Sequence, residues 1–197
     1  MATIGRRDLI LFLIGMDARG ELGDEVNGMT RLQKLLFLLE KEGGLRASGE
    51  GFEFEAWKAG PYSSRLYDDL EFLENLRLVS SESTAEATDA EASEMELEEA
   101  AAEDVTFEEL MGDSPGKPPD ADAYEERRFR LTQKGLERIE RMIQKGEYKP
   151  VADGIRKIKS KYASHSLNDL LYHVYTKYPE MTVESEIKEK VLGRHRG

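Results

Sequence analysis

Residues 81–122 hold fifteen Asp and Glu against a single base, Lys117, so a charge of −14 is confined to 42 residues. Like charges at that density repel, and the stretch has few large apolar side chains. Burial therefore cannot offset the entropy of ordering it. The expectation is a disordered acidic insertion that divides the folded part of the chain in two. The 197 residues sum to −12, so the other 155 hold 27 bases and 25 acids. Within them, residues 1–80 sum to −4 and residues 123–197 to +6. The acidity belongs to one segment and says little about the folded surface.

Composition removes several classes. The chain has no cysteine, which excludes disulfides, a thiol nucleophile and Cys-based metal centres. The longest apolar run, residues 9–14, is far short of the roughly 18 needed to span a membrane. Gly15-Met16-Asp17 ends that run without a small-residue cleavage site, unlike a signal peptide. A soluble, cytoplasmic protein without a membrane partner is expected.

Periodicity sets the elements. Residues 6–16 read as a helix apolar on every side. After a polar connection, Thr30-Arg31-Leu32-Gln33 fits a capping box for a second helix. It runs through Leu35, Leu36, Phe37, Leu38 and Leu39 to Gly43-Gly44, the central core helix. Residues 52–57 alternate apolar and acidic, as in a half-buried strand. Gly60-Pro61 breaks it, and Ser63 and Ser64 are caps for a helix burying Leu66, Leu70, Leu73 and Leu76. Residues 77–79 read as a short strand. After the insertion, residues 126–131 alternate Phe129 and Leu131 with arginines, and Thr132 caps a helix with Leu136, Ile139, Met142 and Ile143 on one face. Beyond Pro150 come a helix with a Val151, Ile155, Ile158, Tyr162 stripe, a second capped by Ser166, and a short last one. Within the insertion, Phe107, Leu110 and Met111 stand at i, i+3 and i+4 behind a Thr106/Glu109 box. That is either a docking helix at 104–111 or a solvated spacer.

Helices followed by a two-stranded wing is the winged helix-turn-helix order, with the insertion at the wing tip, where added length is tolerated. Phe129-Arg-Leu-Thr-Gln-Lys-Gly135 resembles the aromatic-x-Leu-Thr-x-x-Gly signature that leaves the wing of many such proteins. The expected fold class is mainly α (α+β): a winged-helix-like core from 1–80 and 123–146, the insertion 81–122, and a helical C-terminal extension, 147–197. That extension either packs on the core or forms a homodimer through its Leu/Tyr stripe. Leu32-Gln33-Lys34-Leu35-Leu36-Phe37, then Phe54-Glu-Ala-Trp57-Lys-Ala-Gly60-Pro61-Tyr62 and Leu66-Tyr67-Asp68-Asp69-Leu70, resembles the Panacea domain of SocA-like antitoxins. The resemblance covers 6–80 and 124–146. It implies a non-enzymatic antitoxin that neutralises a toxin-like partner, or an adaptor that delivers one to a protease.

No phosphate-loop, dinucleotide or metalloprotease motif is present, and no cofactor is expected. His165 and His173 are not at a metal-ligand spacing. Asp68 and Asp69 diverge by about 100° on a helix, and Asp17, Asp24 and Glu25 read as solvated. No catalytic set emerges. Two binding readings stand. For a protein partner, Tyr62 at the rim of the Gly-Pro turn, with Tyr67 and Phe72 off the Leu stripe, are candidate anchors. For DNA, Ser63, Ser64 and Arg65 would contact it from the helix start, with Arg127, Arg128 and Arg130 on the wing. Asp68, Asp69, Glu71 and Glu74 on the same helix oppose phosphate. Arg156, Lys157, Lys159 and Lys161 form a second basic set, which with the wing arginines could hold the acidic insertion in cis.

Overall fold

Two apolar helices set the architecture. In the computed structural model, which describes residues 2–49, 51–83, 127–146 and 148–194, α1 (Arg6–Gly15) buries every residue from Leu9 to Gly15. α2 (Met29–Glu42) buries ten of the eleven residues from Met29 to Leu39, with only Arg31 partly exposed among them. Side chains that apolar on all sides need neighbours on all sides. α1 lies against α3 (Arg65–Asn75), α4 (Gln133–Gln144) and α5 (Lys149–Tyr162), while α2 lies against α5 and α6 (Leu167–Lys177). A 3₁₀ turn (Pro179–Thr182) and α7 (Lys188–Arg194) complete the helical part. The protein is a mixed α+β chain, mainly helical.

Seven short strands among the described residues fill the gaps. β1 (Ala2–Ile4) pairs in parallel with β3 (Leu45–Ala47). β4 (Glu55–Trp57) and β5 (Gly60–Tyr62) make a hairpin. β2 (Glu25–Asn27), β7 (Arg127–Leu131) and β6 (Val79–Ser83) form an antiparallel sheet in the order β2-β7-β6. In it Val26 faces Phe129 and Ser83 faces Arg127.

The stripe of the C-terminal helices is buried within the chain. Val151, Ile155, Ile158, Tyr162, Leu170 and Val174 share one core with α1 and α2, so that face is not available to a second copy. Thr132 and Ser166 cap α4 and α6 as expected, accepting from the Gly135 and Asp169 N–H groups.

Other expectations change. Thr30 and Gln33 do not form a capping box: α2 begins two residues earlier than a Thr30 cap would start it, after Gly28 at φ 80°, and Gln33 is spent on another element. The strand expected over 52–57 is only β4, because Glu53 sits at φ 50° and breaks the alternation. Gly60-Pro61 does not end a strand but begins β5. Gly60 is required there, since φ is 84° and a Cβ would come within 2.9 Å of the Tyr175 ring. Ser64 precedes α3 without a side-chain cap, and Leu76 is 42 % exposed at its end rather than buried. There a Schellman motif closes the helix: the Leu78 N–H donates to the Leu73 carbonyl, with Arg77 left-handed at φ 55°. The strand foreseen at 77–79 starts at Val79 and runs to Ser83, so 81–83 belong to the sheet. The rest of the expected disordered insertion, with the helix proposed at 104–111, lies outside the described residues.

Candidate functional site

The two sequence motifs around the Gly-Pro turn are wired to each other. Gln33 Oε1 accepts the Ser63 N–H at 3.0 Å, and Lys34 Nζ donates to the Pro61 carbonyl at 2.9 Å. Ser63 Oγ donates to the Phe52 carbonyl. All three polar side chains are buried, so the Gln-Lys pair on α2 satisfies a turn whose backbone would otherwise be orphaned. Ser63, 1 % exposed, cannot reach DNA, contrary to expectation. The turn also starts a row of rings: Trp57 and Tyr62 lie 5.8 Å apart, Tyr62 and Tyr67 6.0 Å. Only its outer end is open. Trp57 and Tyr62 are half-buried, while Tyr67 is 5 % exposed and belongs to the core, which removes it as an anchor.

Phe72 lies elsewhere. Five residues beyond Tyr67, it points about 140° away around α3. It is 40 % exposed, and with Leu76 it borders a shallow groove between α3, the start of α1 and α4. The Arg7 guanidinium stacks on its ring at 3.5 Å. Asp69, buried, anchors that wall by accepting from Arg6 Nε at 2.6 Å and Arg7 Nε at 2.8 Å. Arg138 reaches Asp8 from α4 at 2.7 Å. Asp69 is therefore a structural clasp and not half of a carboxylate pair.

The expected basic surface is not assembled. Arg65 pairs with Glu53, Arg127 donates to Ser81 Oγ, Arg128 pairs with Glu25 and Arg130 with Glu82. On α5, Arg156 pairs with Asp153 and Lys157 donates to the Glu42 carbonyl. Lys159, grouped above in the second basic set, is buried on Asp24 at 2.6 Å. Asp24 and Glu25 are thus ion-pair partners that stay partly exposed. Ser64 remains exposed.

Sequence reasoning missed the most perturbed group. Glu42, at the end of α2, accepts from Tyr162 and Lys161 on one oxygen and from His173, Tyr178 and Lys177 on the other, at 2.8–3.1 Å. Burial alone would raise its pKa, but these donors together hold it well below the usual carboxylate range. Burial, with the Glu42 charge beside them, pushes the Tyr162 and Tyr178 phenols up. A carboxylate that resists protonation and phenols that resist ionisation are poor acid–base groups near pH 7. Their donors lie 119 to 136 residues away in sequence, so local spacing carries no signal of the cluster. It rivets α5 and α6 to α2.

Among the described residues no His/Asp/Glu cluster could hold a metal ion, and no helix is long and apolar enough to cross a membrane. The chain matches no protein-family model, no curated protein and no solved structure.

Proposed function

We propose that this chain is a non-catalytic protein-interaction module, antitoxin- or adaptor-like, built on a winged-helix-like core. The strand order β2-β7-β6 supports the core: a strand between the first two helices pairs with the returning wing strand, as a winged helix requires. Phe129-to-Gly135 acts as one unit at the wing's exit. Phe129 and Leu131 are buried, Thr132 caps, and a Cβ on Gly135 would collide with the Leu78 carbonyl. The link from Gln33 and Lys34 to the Gly-Pro turn gives the motifs shared with Panacea-like antitoxins a common structural purpose.

The observation that carries the function is the outer face of α3. In a DNA reader that face bears donors and bases. Here it exposes Asp68 and Glu71 beside uncovered Phe72 and Leu76, which repels phosphate and suits a protein. A DNA-binding regulator is the second reading, favoured by the strand order alone.

A pull-down of the full-length protein from its native host, with and without nuclease, separates the two. The expected result is a stoichiometric protein that survives nuclease and is lost on Phe72→Ser. Recovery of DNA that falls away at raised salt would overturn this reading.

A further inference from the structure

We infer that the groove between α3, α4 and the start of α1 takes an acidic segment of a partner protein, anchored by apolar side chains. The inference rests on the protein-binding reading and adds the partner's chemistry.

The groove has an apolar floor of buried Leu73 and Leu78, and Phe72, with Arg7 on one face of its ring, and Leu76 stand partly exposed at its edge. They are two of four large apolar side chains exposed among the described residues. A small anion would leave both wet, whereas a side chain inserted between them removes apolar area from water.

The charge is as informative. The lining brings three guanidiniums, Arg6, Arg7 and Arg138, against two carboxylates, Asp8 and Asp69. Lys134 adds a further positive charge at the Leu76 carbonyl, 2.9 Å away. In a chain of net −12, this is a local excess of cations. Asp69 is buried and shared by two arginines, so its charge is already spent. Arg7 uses only Nε for Asp69, and its side chain is 45 % exposed. Its stacking on Phe72 fixes the plane of a fork whose remaining N–H groups match a carboxylate. Asp68 and Glu71 do not line the groove, but Asp68 stands one turn before Phe72 on α3 and sets a negative charge at that edge. A bound segment would turn its acids toward α1 and α4 and its apolar side chains down between Phe72 and Leu76.

The probe is a fluorescein-labelled twelve-residue peptide of Glu and Asp with leucines at positions 4 and 8, titrated into the full-length protein. Controls carry Lys for the acids, or Ser for the leucines. Saturable binding is expected, weakened at least tenfold by either control, by Phe72→Ser and by Arg138→Glu, and reduced at 0.5 M salt. Circular dichroism of both variants guards against unfolding. Binding that ignores Phe72→Ser, or equal binding of the lysine peptide, would overturn the inference. So would binding seen only after Phe107, Leu110 and Met111 are changed to Ser, which would make the chain's own segment the occupant. If the peptide fails while a nuclease-resistant partner is still recovered, the groove assignment falls and the protein-binding reading stands. Recovery of DNA alone removes both.

Discussion

The Glu42 junction and the Phe72 groove draw on the same residue types, aromatics beside Arg, Lys and carboxylates, and resolve them in opposite ways. At the junction, two phenols, two ammonium groups and an imidazole converge on one carboxylate that is 10 % exposed. At the groove, the carboxylate is the buried member, and the aromatic and the arginine remain at the surface. A cluster whose polar atoms are mutually satisfied holds the fold together. One that leaves apolar area and oriented cations at the surface has capacity for a second molecule.

The largest effect that sharpens this contrast is expected at the junction. Glu42→Ala strands two phenols and the positive charges around them, and should cost about 3 kcal/mol in chemical denaturation. Amide exchange should rise across α5 and α6 before the rest of the chain. If α1 and α2 lose protection equally, the rivet is not local. Gly135→Ala, which drives a methyl into the Leu78 carbonyl, should cost a similar amount, about 1–3 kcal/mol, and loosen the three-stranded sheet instead.

The junction should also show in pH dependence. Glu42 has a depressed pKa, so its contribution is fully present above the unfolded value, about 4.3, and fades as pH falls below it. Burial pushes Tyr175 up to about 12. The folded state keeps that proton while the unfolded chain loses it near pH 10, so stability declines from about pH 10 to 12. Urea titrations from pH 3 to 11 should give a dome whose acid limb flattens in Glu42→Gln. An unchanged acid limb would assign it to other carboxylates. The smallest effect is at the groove: Phe72→Ser should change stability by less than about 1 kcal/mol while abolishing partner binding. A large loss of stability would place Phe72 in the core economy after all.

Legibility in the sequence followed the range of the interactions. α1, α2, α5 and the Thr132 and Ser166 caps could be read because periodicity and capping are set by neighbours within four residues. β1, β2, β3 and β5 could not. Three residues carry no period, and β5 hides in a Gly-Pro pair whose usual meaning is a break. Gln33 read as a cap because its spacing from Thr30 fits one, yet its partner lies thirty residues on. Phe72 was legible from its position off the Leu stripe. Tyr67, equally off that stripe, was not, because Tyr62 of the hairpin covers it.

One consequence of the β6–β7 register concerns the chain as a material. Ser83 and Arg127 are direct partners across the ladder, so everything between them leaves and re-enters through neighbouring positions. Each doubling of the spliced length then costs only about 0.6 kcal/mol of closure entropy. The open end of the β6–β7 ladder is a natural port: residues 84–126 could be exchanged for a reporter or a cargo domain with closely spaced termini.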